Sequence, residues 1–129
     1  MPTAIRRVTP VLVVDAIEPS LRFWVDRLGF VATAEVPEGD RLGFVILEKD
    51  GVEIMFQTRA SLKGDVPALA EAPAATSLFI EVLELEAVVE AVEGLEVLIP
   101  RRRTFYGMDE IGVREPGRHV VTFAQPVEK

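Results

Sequence analysis

Apolar and polar residues follow two different periods along this chain, and the periods change in the same order twice. Val11–Val14 is a short run rich in branched apolar residues, the pattern of a buried strand. Ile17, Leu21, Trp24 and Leu28 then recur on one helical face. Asp15 and Glu18 have capping-box spacing, Pro19 is tolerable only in a first turn, and Gly29 is a natural stop. Period-two runs follow at 30–36, 42–47 and 52–57, with a hairpin signal at Lys49-Asp50-Gly51 before the third. The order predicted is β-α-β-β-β.

The second half repeats that order. A strand is predicted at 78–82, a helix carrying Leu85, Val88, Val89 and Val92 on one face with Gly94 as its stop, and a strand at 95–99. A loop at 101–107 leads to a strand at 111–114, a turn at Glu115-Pro116-Gly117 and a closing strand at 119–124. Residues 58–75, with Gly64, Pro67, Pro73 and six alanines, read as the connection between halves, with room for a short helix. A frayed tail is expected beyond Pro126.

The two halves also align residue by residue. The segment from Thr9 superposes on that from Ser77, so Val14 meets Val82 and Ile17 meets Leu85; Ile54-Met55-Phe56 meets Val121-Thr122-Phe123 at nearly the same offset. An offset held through strand, helix and final strand marks a duplicated unit. Predicted module boundaries are about 6–58 and 76–126 within a single domain spanning 1–129.

Composition narrows the chemistry. The chain has 129 residues, 49% hydrophobic and 27% charged, enough for one core. It has no cysteine, so a disulfide framework, a thiolate zinc site and a cysteine nucleophile are excluded. The N-terminal residues lack an apolar signal core and no apolar run reaches membrane-spanning length, so a soluble protein of the cytoplasm is expected. A net charge of −7 disfavours nucleic acid as a partner and favours a cationic or uncharged ligand.

Thr9-Pro10-Val11-Leu12, Ser20-Leu21-Arg22-Phe23-Trp24, Leu28-Gly29-Phe30, Tyr106-Gly107-Met108 and Glu115-Pro116-Gly117-Arg118-His119 before Thr122-Phe123 together resemble the glyoxalase, bleomycin-resistance and extradiol-dioxygenase superfamily, also called vicinal oxygen chelate. The resemblance spans nearly the whole chain. It implies an α+β fold: two βαβββ modules forming a cupped mixed sheet with helices on the outer face, usually completed in a homodimer. In the family's enzymes a divalent metal sits in that cup. The positions that would hold it map to Thr9, Met55, Ser77 and Thr122, where a hydroxyl is a weak donor and a thioether a soft one. No metal or other cofactor is therefore expected.

Strand alternation groups Thr9, Val11 and Val13 with Ser77, Phe79 and Glu81, and Glu53, Met55 and Gln57 with Val120, Thr122 and Ala124, on the predicted cleft face. Leu12, Val14, Ile54, Phe56, Leu78, Ile80, Val82, Val121 and Phe123 form the opposite face, which should receive the helices. The expected ligand contacts are Val11, Val13, Glu53, Met55, Phe79, Glu81, Tyr106, Arg114 and Thr122. Tyr106 is included because its loop overhangs the cup in the similar proteins, Arg114 as the candidate for an anionic ligand group, and Glu53 and Glu81 as attractors of a cationic one. His119, the single histidine, reads as a turn or strand-start residue. The function expected is binding and sequestration of a cationic or aromatic natural product, as in the bleomycin-resistance branch, with no catalytic residue. The competing reading is a lyase, isomerase or dioxygenase using Glu53, Glu81, His119 or the 101–107 loop around a displaced metal.

Overall fold

Eight strands make two four-stranded mixed sheets, with strand orders β1-β4-β3-β2 and β5-β8-β7-β6, in a computed structural model that describes residues 3–71 and 75–127. Strands β1 (Val11–Val14), β2 (Val31–Glu38), β3 (Arg41–Lys49) and β4 (Val52–Thr58) build the first. Strands β5 (Ser77–Glu81), β6 (Val97–Arg103), β7 (Met108–Arg114) and β8 (Val120–Pro126) build the second. In each sheet the first strand runs parallel to the last and the remaining pairs are antiparallel, so the duplication predicted from sequence is present in topology.

Helix α1 covers Glu18–Leu21 and continues as a π-helical stretch, Arg22–Arg27. Helix α2 (Arg59–Asp65) and a 3-10 turn (Pro67–Glu71) occupy the connection, and α3 is Leu85–Ala91. The predicted connection extends to 75, but its residues 72–74, Pro73 among them, lie outside the described residues, as do 128 and 129 of the predicted frayed tail.

The predicted apolar face is the core. Leu12, Val14, Ile54, Phe56, Val121 and Phe123 are buried, with Leu78, Ile80 and Val82 packed against them. Trp24 sits at their centre, its ring edge-on to Phe23 and Phe30 and tilted on Phe56, while Phe23 reaches Phe123 of the second sheet. One hydrophobic cluster thus draws on both halves.

Two sequence expectations fail for physical reasons. Asp15 and Glu18 do not form a capping box: Ile17 occupies the N-cap position without a side-chain cap. Glu18 instead accepts the Leu42 N–H at 2.9 Å, which holds its carboxyl below the usual range, and Asp15 pairs with Arg59 at 3.2 Å. The expected loop at 101–107 begins as strand: Arg101–103 extend β6, because Arg101 and Arg102 find Asp109 and Glu110 on the neighbouring β7. At the Lys49-Asp50-Gly51 signal, Asp50 and Gly51 both take positive φ, 51° and 79°, as a tight hairpin of the predicted kind requires.

Candidate functional site

Cross-strand register defines what each sheet presents on the face away from its helices, because residues directly opposite in a ladder share a side. On the second sheet one row runs Phe79, Thr122, Gly112 and Ile99; the next runs Glu81, Ala124, Glu110 and Arg102. On the first sheet the rows are Val11, Met55, Ile46 and Ala34, then Val13, Gln57, Phe44 and Val36. The predicted grouping of Val11, Val13, Met55, Phe79, Glu81 and Thr122 on the sheet faces away from the core is observed within each sheet.

These rows differ in cover. Val11 and Phe79 are exposed by about half, 50% and 55%, whereas Thr122 and Ala124 are buried. The connection roofs part of the first sheet: Gln57 donates to Ser61 at 3.1 Å, and Leu62 and Leu69 line a cavity of about 250 Å³ together with Val11, Val13, Ala75 and Thr76. Arg59 secures that roof by donating to the Ala70 carbonyl at 2.7 Å.

On the second sheet β6 curls inward. Ile99 lies directly over Gly112, where an added Cβ would come within 2.9 Å of it, so only glycine permits the curl. Arg102 and Tyr106 then close over Glu110, which is 1% exposed. The Tyr106 hydroxyl donates to both Glu110 oxygens, at 2.9 and 2.8 Å, and Arg102 binds Oε1 through Nε at 3.0 Å and Nη2 at 2.8 Å. The hydrogen bond to Glu110 raises the Arg102 pKa above its ordinary value. Tyr106 is thereby fixed with half its surface open, and Phe105 beside it is wholly exposed, edge-on at 5.1 Å.

Not every expected contact is available to a ligand. Glu53 accepts the Thr9 hydroxyl at 3.2 Å and lies 3.5 Å from Arg7, so its charge is already matched. Arg114 is engaged by Glu96 at 3.3 Å and by the Arg118 carbonyl at 3.1 Å, at the end of its strand. Glu81, at the C-terminal end of β5, borders a groove beside α3 as well as its own sheet face. His119 is fully buried just before β8: Nδ1 accepts the Thr76 N–H at 2.9 Å, which puts the proton on Nε2, 3.0 Å from the Val13 carbonyl. It is a strut between the halves, with no ring nitrogen left for catalysis.

Sequence reasoning missed Glu110, Ile99 and the Leu62–Leu69 roof. A signal existed for Glu110: Tyr106 and Glu110 flank a turn, and a Tyr hydroxyl near a carboxylate pairs readily.

The metal positions can be tested on the donors present. Register sets Met55 opposite Val11, and Thr9 meets Glu53 rather than Met55. The donors near these positions are the hydroxyls of Thr9, Ser77 and Thr122 and a carboxylate already facing Arg7, and this set does not fit a divalent ion. Among the described residues no three His, Asp or Glu side chains gather into a metal-binding group.

No helix among the described residues is long and apolar enough to cross a membrane. No protein-family model matches the sequence, and no curated protein does. Solved structures are similar over nearly the full chain. A glyoxalase/bleomycin resistance protein/dioxygenase from Nocardioides superposes with a TM-score of 0.76 at 23% identity, over 98% of this chain and 87% of that one. TioX from Micromonospora sp. ML1 gives 0.75 at 15%, over 95% and 99%. A bleomycin-binding protein from Streptomyces verticillus, complexed with copper(II)-bleomycin, gives 0.63 at 21%, over 99% and 100%. The chain therefore has the fold of the glyoxalase, bleomycin-resistance and dioxygenase proteins, the superfamily that its duplicated sequence resembles.

Proposed function

We propose that this protein captures a small organic molecule, cationic and in part aromatic, in the cup formed by its sheet faces, without a protein-held metal and without transforming it. The observation that carries this reading is half-exposed Phe79, at the head of the row that continues through Thr122, Gly112 and Ile99, beside the pinned and half-open Tyr106: aromatic surface on an apolar floor, the composition of a binding cleft. Glu81 at its edge, without an ion pair among the described residues, and the net charge of −7 favour a cation and speed its approach more than they tighten it. Its similarity in fold to a protein solved with copper(II)-bleomycin supports the same class of ligand.

The cup is completed by a second copy of the chain. Val11 and Phe79 are half exposed on faces whose opposite sides are core, and a second copy would bury them.

The test is calorimetric titration of metal-free bleomycin and copper(II)-bleomycin into protein of measured metal content, with Phe79→Ser alongside. Saturable binding weakened at least tenfold by Phe79→Ser, the loss of an aromatic anchor worth roughly 1.4 kcal/mol or more, is expected with no stoichiometric metal in the protein. A tightly held ion per chain, needed for turnover of a small substrate, sinks the proposal and favours the enzyme reading.

A further inference from the structure

We propose that the chain carries a second small-molecule site, on the helix side of the sheets and sharing only Glu81 at its border with the cup, for an apolar aromatic body ending in a positive charge. The case starts from the duplication. In one half the β7–β8 turn docks tightly onto α1 and its π-helical continuation: Trp24 donates through Nε1 to buried Glu115 at 3.0 Å, and Gly117 lies so close to Ser20 and Val14 that a Cβ would fall within 2.9 Å of both. The equivalent dock in the other half is the β3–β4 turn against α3. There the helix is shorter, by three residues between Leu85 and Gly94 compared with Ile17 to Gly29. Ala91 and Val92 stand where the offset places Phe23 and Trp24.

The missing aromatic volume is left as a groove of about 680 Å³ between α3 and the β3–β4 turn. Phe30, Val52, Ile80, Val88 and Phe123 line it. That size lies within the range of roughly 300–1,000 Å³ typical of small-molecule sites, and apolar walls offer ordered water few partners.

The rim selects the charge. Arg27 is occupied by the Ala91 and Glu93 carbonyls, at 3.2 and 2.8 Å, and Lys49 lies 3.8 Å from Asp50. Glu81 and Glu84 border the groove with no ion pair or hydrogen bond among the described residues. An aromatic body would supply the packing that Phe23 and Trp24 supply in the first half, and an ammonium at its end would meet these two carboxylates.

The experiment uses the full chain with 13C-labelled methyl groups, titrated separately with 1-naphthylmethylamine, 1-naphthalenemethanol and 1-naphthoate. Saturable shifts of the Val88 and Ile80 methyl resonances are expected with the amine, which should bind about tenfold more tightly than the carboxylate. Ala91→Phe should abolish these shifts by filling the groove. The surface pair Glu81→Gln and Glu84→Gln should erase the preference for the amine while retaining the alcohol, a test that stands even if Ala91→Phe fails to fold. Phe79→Ser, in the cup, should leave them unchanged. The proposal is overturned by the absence of saturable shifts at millimolar amine, by shifts confined to Val11 and the cup face, or by a carboxylate that binds as tightly as the amine.

Discussion

Replacing Trp24 with Phe isolates one contact across the seam between the halves. The indole is fully buried and its Nε1 is a donor to Glu115, a carboxylate 1% exposed that also accepts the His119 N–H at 3.2 Å. Phe keeps most of the apolar ring stack on Phe23, Phe30 and Phe56 but removes that donor. A lost hydrogen bond to a charged group costs about 1.5–3 kcal/mol, and the residual void about 1 kcal/mol more. The expected loss is therefore about 2.5–4 kcal/mol, a large part of the 5–15 kcal/mol typical of a domain, and roughly 10 °C in Tm. Urea denaturation followed by circular dichroism measures it, since Trp24 is the only tryptophan and fluorescence is lost with it. Glu115→Gln, alone and combined with Trp24→Phe, completes a double-mutant cycle with an expected coupling of about 1–2 kcal/mol. A single-variant loss below about 1 kcal/mol, or additivity within about 0.5 kcal/mol, refutes the claim that this bond ties the seam.

Other outcomes follow from the same kind of geometry. Glu18 has a folded-state pKa below its ordinary value, so the Leu42 contact contributes stability above the usual Glu range and loses it as pH falls through the lowered value; Glu18→Gln should flatten that part of the stability profile, read by thermal melts between pH 6 and about 3. Gly112→Val would drive its side chain into Ile99 and should cost about 1–3 kcal/mol in urea denaturation while displacing the β6 curl. Tyr106→Phe removes both hydroxyl contacts to Glu110 but leaves Arg102 in place; a loss of about 1–2 kcal/mol is expected, with faster amide exchange at 104–107.

The fold was readable because burial writes period into sequence: Val11–Val14 is a strand in both readings, and the apolar alternation around Ile54 and Val121 named the core face. Failures came where polar side chains chose tertiary partners over local ones. Glu18 prefers the Leu42 amide to a cap, and Arg101 and Arg102 prefer carboxylates on the next strand to a loop. The candidate site was legible as a face but not as a set of available groups. Nothing in the spacing of Glu53, Arg114 and His119 shows that Arg7, Glu96 and the Val13 carbonyl already occupy them. Which residue stands beside Thr9 was likewise hidden, because the register that brings it to Glu53 is a property of paired strands and not of one strand's alternation.

Duplication also predicts where the two halves should differ in stability. The first half's helix buries Ile17, Ser20, Phe23 and Trp24 completely, and the β7–β8 turn locks it from outside. The second half's helix buries Leu85 and Val92 but only partly covers Val88 and Val89, and the groove replaces the outer lock. Local opening is cheapest where few apolar contacts are lost, so α3 should open without global unfolding while α1 should not. Removing burial of two aromatic side chains is worth several kcal/mol, so a protection difference of at least about 2 kcal/mol, near thirtyfold in exchange rate, is expected between amides of Leu85–Ala91 and those of Arg22–Arg27. Native-state hydrogen exchange at low denaturant reads this directly. Equal protection in the two helices would mean that the missing side chains at Ala91 and Val92 are compensated elsewhere, and that sequence asymmetry between the repeats does not translate into asymmetric stability.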